Sequence, residues 1–134
     1  MKNYSVILRN INSDTELSSV VYADEDETSE QIILKIIINH NYILSKSEQY
    51  LTAYQQLRDQ LLNLGYGLEC KGSLLNADQS AMMAYIPKIY LVKTEKQARL
   101  EDITNLWDYH ELHYFPDSAE QNAFIREWQK SLKK

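Results

Sequence analysis

Thr28–Gly65, TSEQIILKIIINHNYILSKSEQYLTAYQQLRDQLLNLG, holds the two segments on which the architecture turns. In its second half, Lys46 to Leu64, the residues Tyr50, Tyr54, Leu57, Leu61 and Leu64 recur at spacings of four and three. That periodicity gathers them into one apolar stripe along a helix. Ser45 with Glu48 has the spacing of a capping box, and Gly65 stands where a helix needs a left-handed terminator. A helix over 46–64 follows. In the first half, Thr28 with Gln31 repeats the capping-box spacing, and the acids before it suit the positive end of a helix dipole. These start signals favour a helix over Gln31–Asn39. The run itself, QIILKIIIN, is β-branched on all sides, and a buried strand accommodates it equally well.

Outward from this stretch the elements alternate in character. Tyr4–Arg9 and Leu17–Ala23 are rich in β-branched and aromatic residues and read as strands. Asn10–Asp14 between them is turn chemistry, so the pair is a hairpin. Beyond Gly65, Leu68–Cys70 is a short strand, Asn76–Ala81 a polar loop, Lys88–Lys93 a strong strand and Ile103–Asp108 a further strand in preference to a helix. Asp117 with Glu120 caps a last helix whose apolar face is Gln121, Phe124, Ile125, Trp128 and Leu132. The expected fold is α+β: an antiparallel sheet of about five strands, helices on one face, order ββααβββα.

At 134 residues the chain suits a single domain, 1–134, that buries about two-thirds of its unfolded surface. The single cysteine, Cys70, forms no internal disulfide, which fits a reducing compartment. The N-terminal residues lack the apolar core of a signal peptide, and the run Ile32–Ile38 is far short of a membrane span. A cytoplasmic protein is expected. With 19 acids against 14 bases the net charge is −5, and no basic stripe exists to contact nucleic acid. The acids cluster at Asp24, Glu25, Asp26 and Glu27, which steers toward a basic partner.

Candidate chemistry is thin. Cys70 lies in an apolar strand with no histidine placed beside it, and free cysteine is most often a core residue. His110 and His113 flank Glu111, with Asp108 just before, but a zinc site needs three or four committed ligands, and the neighbours read as packing. Gly65-Tyr66-Gly67 follows a helix, whereas phosphate loops precede one. Glu101-Asp102 is an adjacent pair of carboxylates, which specifies nothing by itself. No catalytic residue, metal or cofactor is assigned. Ten tyrosines remain, and tyrosine suits protein interfaces. Tyr109 sits in an aromatic and acidic segment, Trp107 to Phe115. The candidate contact residues are therefore Asp24, Glu25, Asp26, Glu27, Asp102, Asp108, Tyr109 and Glu111.

From Gly65 to Leu132 three patterns stand in order: Cys70-Lys71-Gly72-Ser73, Ser80-Ala81-Met82, and Glu120-Gln121-Asn122-Ala123-Phe124 through Trp128 to Ser131-Leu132. This half resembles a group of small bacterial proteins, mostly uncharacterised. The glycine-rich, arginine-bearing loop of that group is replaced here by Met83-Ala84-Tyr85-Ile86-Pro87. Small acidic bacterial proteins of this style resemble the immunity proteins of contact-dependent growth inhibition. The resemblance implies a non-enzymatic protein that neutralises a cognate toxin, a basic nuclease domain, by plugging it with an acidic surface. The alternative is a regulatory or adaptor protein, or a homodimer, that buries aromatic surface against another chain.

Overall fold

In a computed structural model describing residues 1–26, 28 and 30–133, the chain runs through eight strands and two α-helices. These are β1 (Lys2–Asn10), β2 (Thr15–Asp24), β3 (Ile32–Ile38), β4 (Asn41–Ser47), α1 (Tyr50–Asn63), β5 (Tyr66–Leu68), β6 (Ala77–Asp78), β7 (Lys88–Leu91), β8 (Ile103–Asn105) and α2 (Ser118–Ser131). The first five strands form a curled antiparallel sheet in the order β4-β3-β2-β1-β5. The last three make a small antiparallel sheet, β6-β7-β8. The fold is α+β, as expected, but the order differs.

The difference arises in the decisive stretch. Gln31–Asn39 is not a helix: Ile32–Ile38 is a strand whose even residues, Ile32, Leu34, Ile36 and Ile38, are buried while Ile33, Lys35 and Ile37 face outward. Alternation at period two and β-branching on every side outweigh the apparent start signal. No α-helix opens at Thr28, whose N–H donates to Asp26 Oδ1 at 2.9 Å, and the chain is extended from Ile32 to Ile38. Asn39 and His40 both take positive φ, 47° and 67°, and turn β3 directly into β4. Two-residue turns of this hand match the twist of antiparallel strands. β4 was unforeseen, and it claims Ser45, whose hydroxyl donates to Ala53 O at 2.7 Å rather than capping a helix. The helix accordingly begins at Tyr50, not Lys46, after an N-cap (Gln49) with no side-chain hydrogen bond.

The remaining expectations shift by a few residues. β5 stops at Leu68, and Cys70 forms an isolated bridge with Tyr109. Within the polar segment 76–81, Ala77 and Asp78 pair with β7. Gly65 has φ +89°, as a helix terminator requires. Asp117 and Glu120 close the capping box at the start of α2.

One buried cluster joins the inward residues of β1 to β4 with Tyr50, Tyr54, Leu57 and Leu61 of α1, and extends to Leu106 and Trp107. Leu64, at the end of the expected stripe, is exposed. β1 and β2 pair along their full length, from Lys2↔Ala23 to Asn10↔Thr15. β2 and β3 pair only at Tyr22, Ala23 and Asp24, so the sheet forks at Val21. No helix among the described residues is long and apolar enough to cross a membrane.

Candidate interaction surface

The residues assigned from sequence fall in three places. Asp24 ends β2, and Glu25 and Asp26 follow it beside Lys2, at one end of β1; Glu27 lies outside the described residues. Asp102 lies on the β7–β8 connection, where its Oδ2 accepts from Arg99 N at 2.9 Å. It borders an open cleft of about 450 Å³ that also holds Lys93, Lys96 and Arg99. Asp108, Tyr109 and Glu111 are exposed at the other end of β1, near Arg9. Lys2 and Arg9 are seven residues apart, about 23 Å along a strand. The acidic run and the aromatic segment therefore do not form one surface.

Glu25 serves the interior. Its Oε2 accepts from both Tyr4 and Tyr50, each at 2.6 Å, and Tyr50 in turn accepts from Trp107 Nε1 at 2.8 Å. Tyr4 stacks on Trp107 with ring centroids 5.3 Å apart. Desolvation foremost, then the hydrogen bond to Glu25, raises both tyrosine pKa values far above normal. Lys2 stands 3.6 Å from the other oxygen. A carboxylate so engaged, with its side chain only 10% exposed, ties β1, β2 and α1 together and has little left for a partner. Asp24 and Asp26 are likewise turn-formers: Asp26 N–H donates to Asp24 Oδ1, and the Thr28 N–H holds the Asp26 carboxyl below its ordinary range.

The far end of β1 is different. Arg9 opposes Glu16 in the register and contacts three carboxylates: Asp14 at 3.0 Å, Glu16 at 3.1 Å and Glu69 at 3.2 Å. Glu69 is fully buried, and desolvation raises its pKa against the pull of the Leu112 N–H and Arg9. Its Oε2 accepts from Leu112 N at 3.0 Å, and its backbone oxygen from His110 N at 3.2 Å. These bonds hold the segment 109–115 against the sheet, and Phe115 fills the space above Gly67.

Tyr109 is thereby set on the surface, 53% exposed, with its hydroxyl 3.4 Å from Glu16 Oε2. Its pKa stands above the ordinary value through desolvation first, then through the carboxylates of Glu69, Glu16 and Glu111. Arg9 is the base of this patch, and it is already shared among acids. Of the residues assigned from sequence, Tyr109, Glu111 and Asp108 come together here. Glu16, Asp14 and Glu69 were missed, though a tight turn at Asn10–Asp14 sets Arg9 opposite Glu16 and was the available signal.

The catalytic candidates meet structural explanations. Cys70 is buried, and its thiol is pushed up to about 12, chiefly by desolvation. No group of three or more metal-ligating side chains exists among the described residues. The patterned residues of the second half also do folding work. Gly72 admits Leu106 and Tyr54, since a Cβ there would stand 2.7 Å from Leu106. Ser73 bonds Tyr54, and Trp128 Nε1 donates to Lys96 O at 2.8 Å. Gln121 donates to Gly72 O and Leu74 O while accepting from Gln55 and Arg58.

No protein-family model matches this chain, and no curated protein matches it in sequence. The functional reading therefore rests on the surface itself.

Proposed function

We propose that the chain is an immunity protein of the cytoplasm, acting by binding and not by catalysis. It neutralises a cognate bacterial toxin, a basic nuclease domain of a contact-dependent or otherwise secreted system. The observation that carries this reading is Tyr109, half-exposed, with its hydroxyl 3.4 Å from Glu16 Oε2 and Glu111 two residues further along the chain. A large aromatic side chain in an acidic surround suits the desolvated centre of an interface with a basic protein. The net charge of −5 adds long-range attraction. The resemblance of the second half to small bacterial proteins agrees, although its patterned residues are explained by folding.

The test is protection. Cells carrying the toxin domain encoded beside this chain survive when the chain is co-produced, and lose that protection with Tyr109→Ala combined with Glu111→Lys. Death in the presence of the unaltered chain would contradict the proposal.

A second reading, a homodimer or adaptor, draws on a different observation. On the outer face of the sheet Ile37 pairs with Tyr42 across β3 and β4, and these side chains are 59% and 61% exposed. Light scattering on the purified chain separates the two: a stable dimer favours this second reading.

A further inference from the structure

We propose that the open edge of β2 at Glu16, Ser18 and Val20 takes an extended segment of the partner as an added strand, with a lysine or arginine of that segment on Glu16. The proposal rests on the reading of the chain as a binder of a basic protein, and deepens it.

The direction of the backbone groups follows from the pairing. Ile7 O accepts from Glu69 N and Ile11 N donates to Gly65 O, each at 2.9 Å, so the odd residues of β1 face β5. Successive residues of a strand turn their N–H and C=O to alternate sides, so Val6, Leu8 and Asn10 face β2. Through the register, Leu17, Ser19 and Val21 bond to β1. Glu16, Ser18 and Val20 therefore point the other way, toward β3. There β3 is paired only at residues 22–24, beyond the fork. Among the described residues, no hydrogen bond reaches the main chain of Glu16 or Ser18 on that side.

Natural sheets defend such edges with proline, lysine, bulges or a covering loop. The edge Glu16–Val21 (ELSSVV) has neither proline nor base, its one charge is Glu16, and its pairing with β1 runs nine residues without a bulge. An open edge whose one charge is acidic repels an acidic strand and is a template for adding a basic one, in which main-chain bonds give affinity and alternate side chains give specificity. The patch sets the specificity here. Glu16, Ser18 and Val20 carry their side chains on the same outer face as Tyr109 reaches with its hydroxyl. Asp14, Glu16 and Glu111 outnumber Arg9, whose guanidinium Asp14, Glu16 and Glu69 already occupy. A strand with basic side chains on its outer face is what this surround favours.

The probe is an acetylated Lys-Val repeat peptide, with a Glu-Val repeat as its counterpart, read by amide hydrogen exchange on the full chain. In the free chain the amides of Glu16 and Ser18 exchange faster than those of Leu17, Ser19 and Val21. The Lys-Val peptide slows Glu16, Ser18 and Val20, and the Glu-Val peptide does not. Ser18→Pro removes one donor from the open edge without cutting the ladder to β1, and should weaken the peptide by roughly tenfold. Slow exchange at Glu16 and Ser18 in the free chain, or protection confined to another edge such as β4, would overturn the proposal. Should Ser18→Pro fail to fold, the exchange pattern of the unaltered chain still decides. Edge protection by the peptide without toxin protection in cells removes the immunity reading alone; toxin protection without it removes only the strand addition.

Discussion

Gln121 of α2 and Arg58 of α1 meet in the interior, where Gln121 Oε1 accepts from Arg58 Nη2 at 2.7 Å and both side chains are fully buried. A buried guanidinium needs acceptors, and this amide supplies one while its own NH₂ closes on Gly72 O and Leu74 O. Gln121→Leu strands a charged donor and two carbonyls at once. The expected loss is about 3–5 kcal/mol of folding stability, read by urea denaturation.

Glu25 gives a prediction that separates folding from binding. Glu25→Ala leaves the Tyr4 and Tyr50 hydroxyls without their shared acceptor and should cost on the order of 2 kcal/mol. It should slow association with the partner no more than the loss of one unit of net charge does, and far less than Glu111→Lys. The same network makes the fold sensitive to alkali. Tyr4, Tyr50 and Tyr54 have pKa values raised mainly by burial, so an unfolded chain releases their protons where the folded chain holds them. Their contribution is complete below about pH 10 and is lost as pH rises above it. Thermal denaturation across that range should show Tm falling steeply above pH 10, with tyrosinate absorbance of these residues appearing only on unfolding.

How much of this was legible in the sequence varies by element. The hairpin of β1 and β2, α1, and the capped start of α2 carry local signals that tertiary contacts reinforce. The run Ile32–Ile38 carried a conflict. Its capping spacing was fortuitous, while its alternation was masked because Ile33 and Ile37 are apolar yet face outward. β4 was hidden because Ser45 and Ser47 occupy inward positions, with Ser45 satisfied by Ala53 O. Burial of Glu25, Glu69 and Arg58 was not legible, since each depends on partners distant in sequence. Within the acidic run it is Glu25 that turns inward, to Tyr4 and Tyr50.

Cys70 tests whether any thiol chemistry belongs to this chain. With a buried side chain and a thiol raised to about 12, it should resist iodoacetamide in the native state. Modification should track global unfolding in rising denaturant. Rapid native labelling would reopen a catalytic role.

Gly67 positions the aromatic segment, because a Cβ there would collide with the ring of Phe115. Gly67→Ala should displace Phe115 and loosen residues 109–115, at a cost of about 1–3 kcal/mol. Amide exchange at Leu112 should accelerate more than exchange in α1. Equal acceleration throughout would mean that Phe115 does not anchor the segment.

Binding at the Tyr109–Glu16 patch is tested most directly by the association kinetics of the chain with the basic toxin domain that the proposed function assigns to it, measured across a salt series. The association rate should fall at least about tenfold from low to high salt. Tyr109→Ala should weaken the complex by roughly tenfold or more through faster dissociation. A rate indifferent to ionic strength, with Tyr109→Ala binding as tightly as the unaltered chain, would contradict binding at this patch.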